Sequence, residues 1–172
     1  MNTTRLLQPR YRDLLRRGIG LFFAFFLALQ AGPAAAEAEA EADIVTREIA
    51  GAEFEDVTFA LVNAIAAEGI TPPSLSEFSD MLRRTAPDLG HSPTLFDQAR
   101  IYTFCSASAA ARLSAESPHH IVLCPLSIAV YRITADSPVV HLGYRRSAST
   151  AGGSAVDALL ERIVERTAES VR

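Results

Sequence analysis

Residues 121–145 read IVLCPLSIAVYRITADSPVVHLGYR, and this stretch decides the fold. Ile121 to Ile133 is rich in β-branched residues, which predicts one long strand. Pro125 has no N–H to give to a ladder, so it is expected at an edge or a bulge. Asp136-Ser137-Pro138 reads as a turn, and Val139 to Tyr144 as the returning strand of a hairpin. Upstream, Arg100 to Cys105 is a further strand, since Ile101, Tyr102, Thr103 and Phe104 are all good strand formers. Ser106 is a natural N-cap for a helix through Ala110 and Leu113, which Pro118 ends. Downstream, Gly152-Gly153 reads as a flexible joint and Ser154 as the cap of a last helix over 154–171. Val156, Leu159, Leu160, Ile163 and Val164 form that helix's apolar stripe.

Farther upstream, Ile44 to Ala50 reads as a strand closed by Gly51. Val57, Leu61, Ala64 and Ile65 fall at helical spacing, with Glu55 and Asp56 in the first turn and Gly69 as the stop. Thr71-Pro72-Pro73 breaks the chain. Ser74 and Glu77 then have capping-box spacing ahead of a short helix with Phe78, Met81 and Leu82, ended by Pro87 and Gly90. Residues 91–98 read as a loop. The order is strand, helix, helix, strand, helix, two paired strands, helix. That predicts one α+β domain over 44–172, with helices on one face of a mixed or antiparallel sheet.

The N-terminus reads as an address. Arg5, Arg10, Arg12, Arg16 and Arg17 precede an apolar run of about a dozen residues, Ile19 to Leu29, and then Ala34-Ala35-Ala36. This predicts a signal peptide over 1–36, cleaved near Ala36, and a periplasmic protein; an uncleaved N-terminal anchor is the rival reading. The run is shorter than the roughly 20 residues that span a bilayer, so no membrane span is expected after cleavage. Residues 37–43 read as an acidic Ala/Glu tether. The 172 residues carry a net charge of −4, and all 16 basic residues are arginine. Lysine chemistry is therefore excluded. Beyond residue 36, eleven arginines face nineteen acidic residues, a charge of −8, which argues against nucleic acid as a partner.

Few residues could carry chemistry. Cys105 and Cys124 are the two cysteines, and an even count in an exported protein suggests a disulfide. Such a bridge would close a loop of about 18 residues and stabilise by roughly 3 kcal/mol. Against it stands the geometry of a strand–helix–strand unit, which separates the end of one strand from the start of the next. Buried unpaired thiols, or a reactive Cys105 at a helix start, are the other readings. His91, His119, His120 and His141 have no recognised metal-ligand spacing, and no CxxC, CxxCH or G-x-S-x-G is present. No catalytic residue, metal or cofactor is expected.

Asp80-Met81-Leu82-Arg83-Arg84-Thr85, Asp88-Leu89-Gly90 and Phe104-Cys105-Ser106-Ala107 together form a pattern. It continues through Cys124-Pro125, Ile128-Ala129-Val130-Tyr131 and Gly143-Tyr144-Arg145. In this order and spacing the chain resembles the DUF302 family, in its exported, proteobacterial type, over roughly residues 45–147. The resemblance implies a TATA-binding-protein-like domain with a curved sheet, and it makes Phe104-Cys105 and Cys124-Pro125 family landmarks. The Gly-Asn-Pro turn of many members is missing, and the stretch after Arg146 departs from the pattern. The resemblance brings no established activity.

The function expected is a non-enzymatic accessory protein that binds a small molecule or a periplasmic partner, with homodimerisation open. Cys105, Ser106, Cys124, Pro125, Tyr131, Tyr144 and Arg145 are the candidate ligand-binding residues. The alternative is a thiol/disulfide redox or sulfur-handling protein using Cys105 and Cys124.

Overall fold

The computed structural model describes residues 43–147 and 149–172. The expected signal segment and residues 37–42 of the expected tether lie outside the described residues. The first described residue, Asp43, is tied to the end of the sheet, its carbonyl accepting from the Arg146 N–H at 2.8 Å.

The elements run β1 (Ile44–Ala50), α1 (Phe54–Ala67), β2 (Ser74–Glu77), α2 (Phe78–Leu89) and β3 (Gln98–Phe104). They continue with α3 (Ala107–Glu116), a 3-10 helix (Pro118–Leu123), β4 (Leu126–Arg132), β5 (Val139–Arg145) and α4 (Ala151–Ser170). The strands form one sheet in the order β1-β5-β4-β3-β2, and every neighbouring pair is antiparallel.

Alternation along the strands sorts the side chains into two sets. Ile49, Tyr102, Phe104, Leu126, Ile128, Val130, Val140, Leu142 and Tyr144 are buried on one face. They form a core with Val57, Leu61 and Ile65 of α1, Leu113 of α3, and Val156, Leu160 and Ile163 of α4. Helix α4 packs on both α1 and α3, while α2 packs along β3. The opposite face carries exposed Thr46, Glu48 and Ser127. One end of it holds an aromatic series: Phe78 meets Phe96 edge-on at 6.2 Å, and Phe96 meets Tyr131 edge-on at 5.8 Å. Tyr131 then stacks on His141 at 4.9 Å and 12°.

Four local expectations are corrected. Ser74 does not cap a helix, because Ser74–Glu77 is an edge strand paired with β3 from Ser74↔Thr103 to Glu77↔Arg100. The Glu77 carboxylate accepts from Arg100 Nε at 3.0 Å instead of turning back to a cap. The strand expected from Ile121 begins only at Leu126, since β3 pairs no further than Phe104↔Leu126. Residues 118–123 form a 3-10 helix instead. Pro118 sits at its start, Ser117 Oγ accepts from the His119 N–H, and Ile121 and Val122 are exposed. The Cys124–Pro125 bond that follows is cis.

Gly152-Gly153 is no joint, and Ser154 is no cap. Both glycines are buried in the first turn of α4, and Thr150 Oγ1 accepts from the Gly153 N–H at 3.1 Å. A Cβ at 152 would stand 2.9 Å from Glu116 Oε2, so a larger residue there would have to displace that carboxylate. The Glu116 carboxylate occupies that space and accepts from the Gly152 N–H at 2.5 Å. It thereby serves an N–H that the helix leaves unpaired.

The Thr150 and Gly152 hydrogen bonds, with His120 nearby, hold the Glu116 carboxyl below its ordinary value of 4.5. A lowered folded-state value means that the contribution is complete above the unfolded value and is lost as pH falls below it. Glu116→Gln is therefore expected to lower Tm at neutral pH and to flatten the acid limb of stability between about pH 5 and 3. Thermal melts across that range check this. An unchanged acid limb would show that Glu116 does not hold α4.

Candidate functional site

The expected site residues divide into three groups. Cys105, Ser106, Cys124 and Pro125 lie together at the end of the sheet where β3 stops and β4 starts. Arg145 and Tyr144 close β5 at that same end, because β5 runs antiparallel to β4. Tyr144 faces the helices and is 7% exposed, and burial raises its phenol above the ordinary value. Arg145 is exposed beside Ile44 of β1. Tyr131 is at the other end of β4 on the opposite face, where burial and then the Glu48 charge raise its phenol. The seven residues therefore do not form one pocket.

Both cysteines are free thiols. The alternation of the strands explains why the suggested disulfide is not formed. Phe104 and Leu126 are the last paired residues, and both face the core. Cys124, two residues from Leu126, packs against that core, whereas Cys105, next to Phe104, is exposed. Burial, and secondarily the charge of Cys105, push the Cys124 thiol above its ordinary value of 9.0.

Ser106 does what its position predicts. Its Oγ accepts from the Ala109 N–H at 3.4 Å and lies 3.1 Å from the Oγ of Ser108 in the first turn of α3. The same turn opens onto a cleft of about 310 Å³ between α3, α4 and the end of α1. Glu68, Ser106, Ser108, Arg112, Leu159 and Arg162 line it. Arg162 Nη2 donates to Glu68 Oε2 at 3.2 Å, and Arg162 Nη1 to the Ala158 carbonyl at 3.0 Å. Arg166 approaches the other Glu68 oxygen at 3.4 Å. Among the described residues no carboxylate lies at ion-pair distance from Arg112.

Sequence reasoning reached Ser106 and missed Ser108, Arg112 and Arg162. A signal existed: Ser108 and Arg112 are four apart, and Ala155, Ala158, Leu159 and Arg162 are spaced as one helix face. A larger hollow of about 480 Å³ lies near Gly51 and Phe59, with Glu53, Asp56 and Arg172 in its lining. Among the described residues no three His, Cys, Asp or Glu side chains are placed to hold a metal ion.

This is an α+β domain in which a five-stranded antiparallel sheet carries its core on one face, with a polar cleft between helices beside the end of β3. The family described as "Domain of unknown function DUF302" matches residues 45–171, and the chain belongs to it. A solved structure titled "uncharacterized conserved protein DUF302 from Bacillus stearothermophilus" is similar in fold, with 17% identity and a TM-score of 0.52. The alignment covers 75% of this chain and 95% of that one. No curated protein matches the chain.

Proposed function

We propose that this DUF302 protein is an exported, periplasmic accessory protein that binds a small molecule without transforming it, and that the α3–α4 cleft is where it binds. The observation that carries this reading is the cleft itself. At about 310 Å³ it is within the size range of small-molecule sites, and polar groups from three helices converge on it. It also adjoins the turn after Phe104-Cys105, which the family pattern marks. Export rests on the basic start, the short apolar run and Ala34-Ala35-Ala36. The thiol-cycling alternative has weaker support, because Cys124 is half-buried against the core while Cys105 is exposed.

Ala158 is exposed and lines the cleft, so Ala158→Trp fills the space without disturbing the core. The test is a thermal-shift survey of the mature protein with a panel of small metabolites, neutral and charged. At least one compound is expected to raise Tm in a saturable way, since a ligand at 100 times Kd adds about 2.7 kcal/mol. Ala158→Trp should abolish that rise while keeping the parent's circular dichroism. A rise of equal size in Ala158→Trp would remove the cleft from the function.

A further inference from the structure

Accepting the cleft as the binding site, we infer that its ligand is a small organic anion, held through a carboxylate or comparable oxyanion head by Arg112 and Arg162. Charge is the first observation. Residues 43–172 hold eleven arginines against sixteen acidic residues, so the domain is acidic overall. The cleft reverses that sign. Its lining has two guanidinium groups and one carboxylate, Glu68, and the charge of Glu68 is already shared between Arg162 and Arg166. Arg112 is therefore an uncompensated cation at the wall of a concave site. Such an arrangement focuses positive potential on an anion against the prevailing field of the protein.

Geometry is the second observation. Arg162 is fixed by the Ala158 carbonyl and by Glu68, so its guanidinium is oriented before any ligand arrives. Arg112 projects from the opposing helix, one turn beyond Ser108, whose hydroxyl can donate to the same head group. Planar guanidinium forks match carboxylate and related oxyanions better than a point charge does. Size sets the rest. With about 30 Å³ per water-sized group, about 310 Å³ accommodates roughly ten non-hydrogen atoms. Leu159 offers an apolar surface for the ligand's body.

The experiment is calorimetric titration of the mature protein with succinate, sulfate, phosphate and the neutral succinamide, at constant ionic strength set with sodium chloride. Succinate is expected to bind and succinamide not to. Arg112→Gln is expected to weaken succinate binding by about ten- to hundredfold, the loss of one charge-assisted hydrogen bond. Sulfate or phosphate binding more tightly than succinate, with the same loss in Arg112→Gln, would keep the oxyanion head and overturn the organic body. Arg112 is exposed, so the variant should fold, and its unchanged Tm without ligand checks that.

No binding by any of the three anions overturns the inference, as does succinate binding that Arg112→Gln leaves unchanged. A neutral ligand blocked by Ala158→Trp but indifferent to Arg112→Gln would overturn the anion and leave the cleft standing. If Ala158→Trp alters binding of nothing, both fall.

Discussion

Leu142→Ala is expected to lower the free energy of unfolding by about 2–5 kcal/mol, the cost of deleting a fully buried side chain and leaving a cavity. For a domain of this length that is a fall in Tm of roughly 10–20 °C. Leu142 is 0% exposed in the middle of β5. Its neighbours across the ladders are Arg47 of β1 and Val130 of β4. Ile101 provides the control. It lies on β3 with its side chain on the other face and is only partly buried. Ile101→Ala should cost roughly half as much or less, because it gives up less apolar area. Chemical denaturation of both variants checks the pair. Equal losses would mean that the face away from the helices is covered in solution, as an isologous dimer through that face would cover it.

The second large effect is expected at Arg100. Its Nη1 donates to Glu55 Oε2 of α1 at 2.8 Å, and its Nε donates to Glu77 Oε2 of β2 at 3.0 Å. The guanidinium carbon also lies 5.2 Å from the centre of the Phe54 ring. One side chain thus ties the first turn of α1 and the four-residue edge strand to β3. Each ion pair is partly solvated and contributes about 0.2–1 kcal/mol, and the aromatic contact about 0.5–1 kcal/mol. Arg100→Met, which keeps the stem, is therefore expected to cost about 1–2 kcal/mol.

The loss should be concentrated locally. Hydrogen exchange of residues 74–77 should quicken more than that of β4 or β5, because the edge strand has little else to hold it. The hydrogen bond from Arg100 also lowers the Glu55 carboxyl below 4.5, outweighing the opposing effect of burial. That contribution is complete above the unfolded value and lost as pH falls below it, so Arg100→Met should also shallow the acid limb of stability. Uniform exchange across the sheet would show that Arg100 contributes to the fold as a whole rather than pinning β2.

How far the sequence was legible follows the range of the interactions. β1 was readable from Ile44 to Ala50, and the β4–β5 hairpin from Asp136-Ser137-Pro138. The stripe of α4 was readable from Val156 to Val164, since strand and helix periodicities are local. Ser106 was readable because a cap and the N–H it serves are three residues apart. β2 was not readable. Ser74-Leu75-Ser76-Glu77 carries a helix-start signal, and only pairing with Ile101 to Thr103 and the pull of Arg100 on Glu77 make it a strand.

The same reasoning separates what the sequence alone determined from what tertiary structure decided. The α+β class, the family and the cap at Ser106 were written in neighbouring residues. Ile121 and Val122 look like strand residues but have no strand to pair with, because β3 has already turned into the cap of α3. Gly152 looks like a hinge but is a seat for Glu116, 36 residues earlier in the chain. Arg112 and Arg162 look like two solvated charges. Only the packing of α3 on α4 sets them on opposite walls of one cleft. Contacts between residues distant in the chain depend on which helix faces cover the sheet, and no local period carries that information.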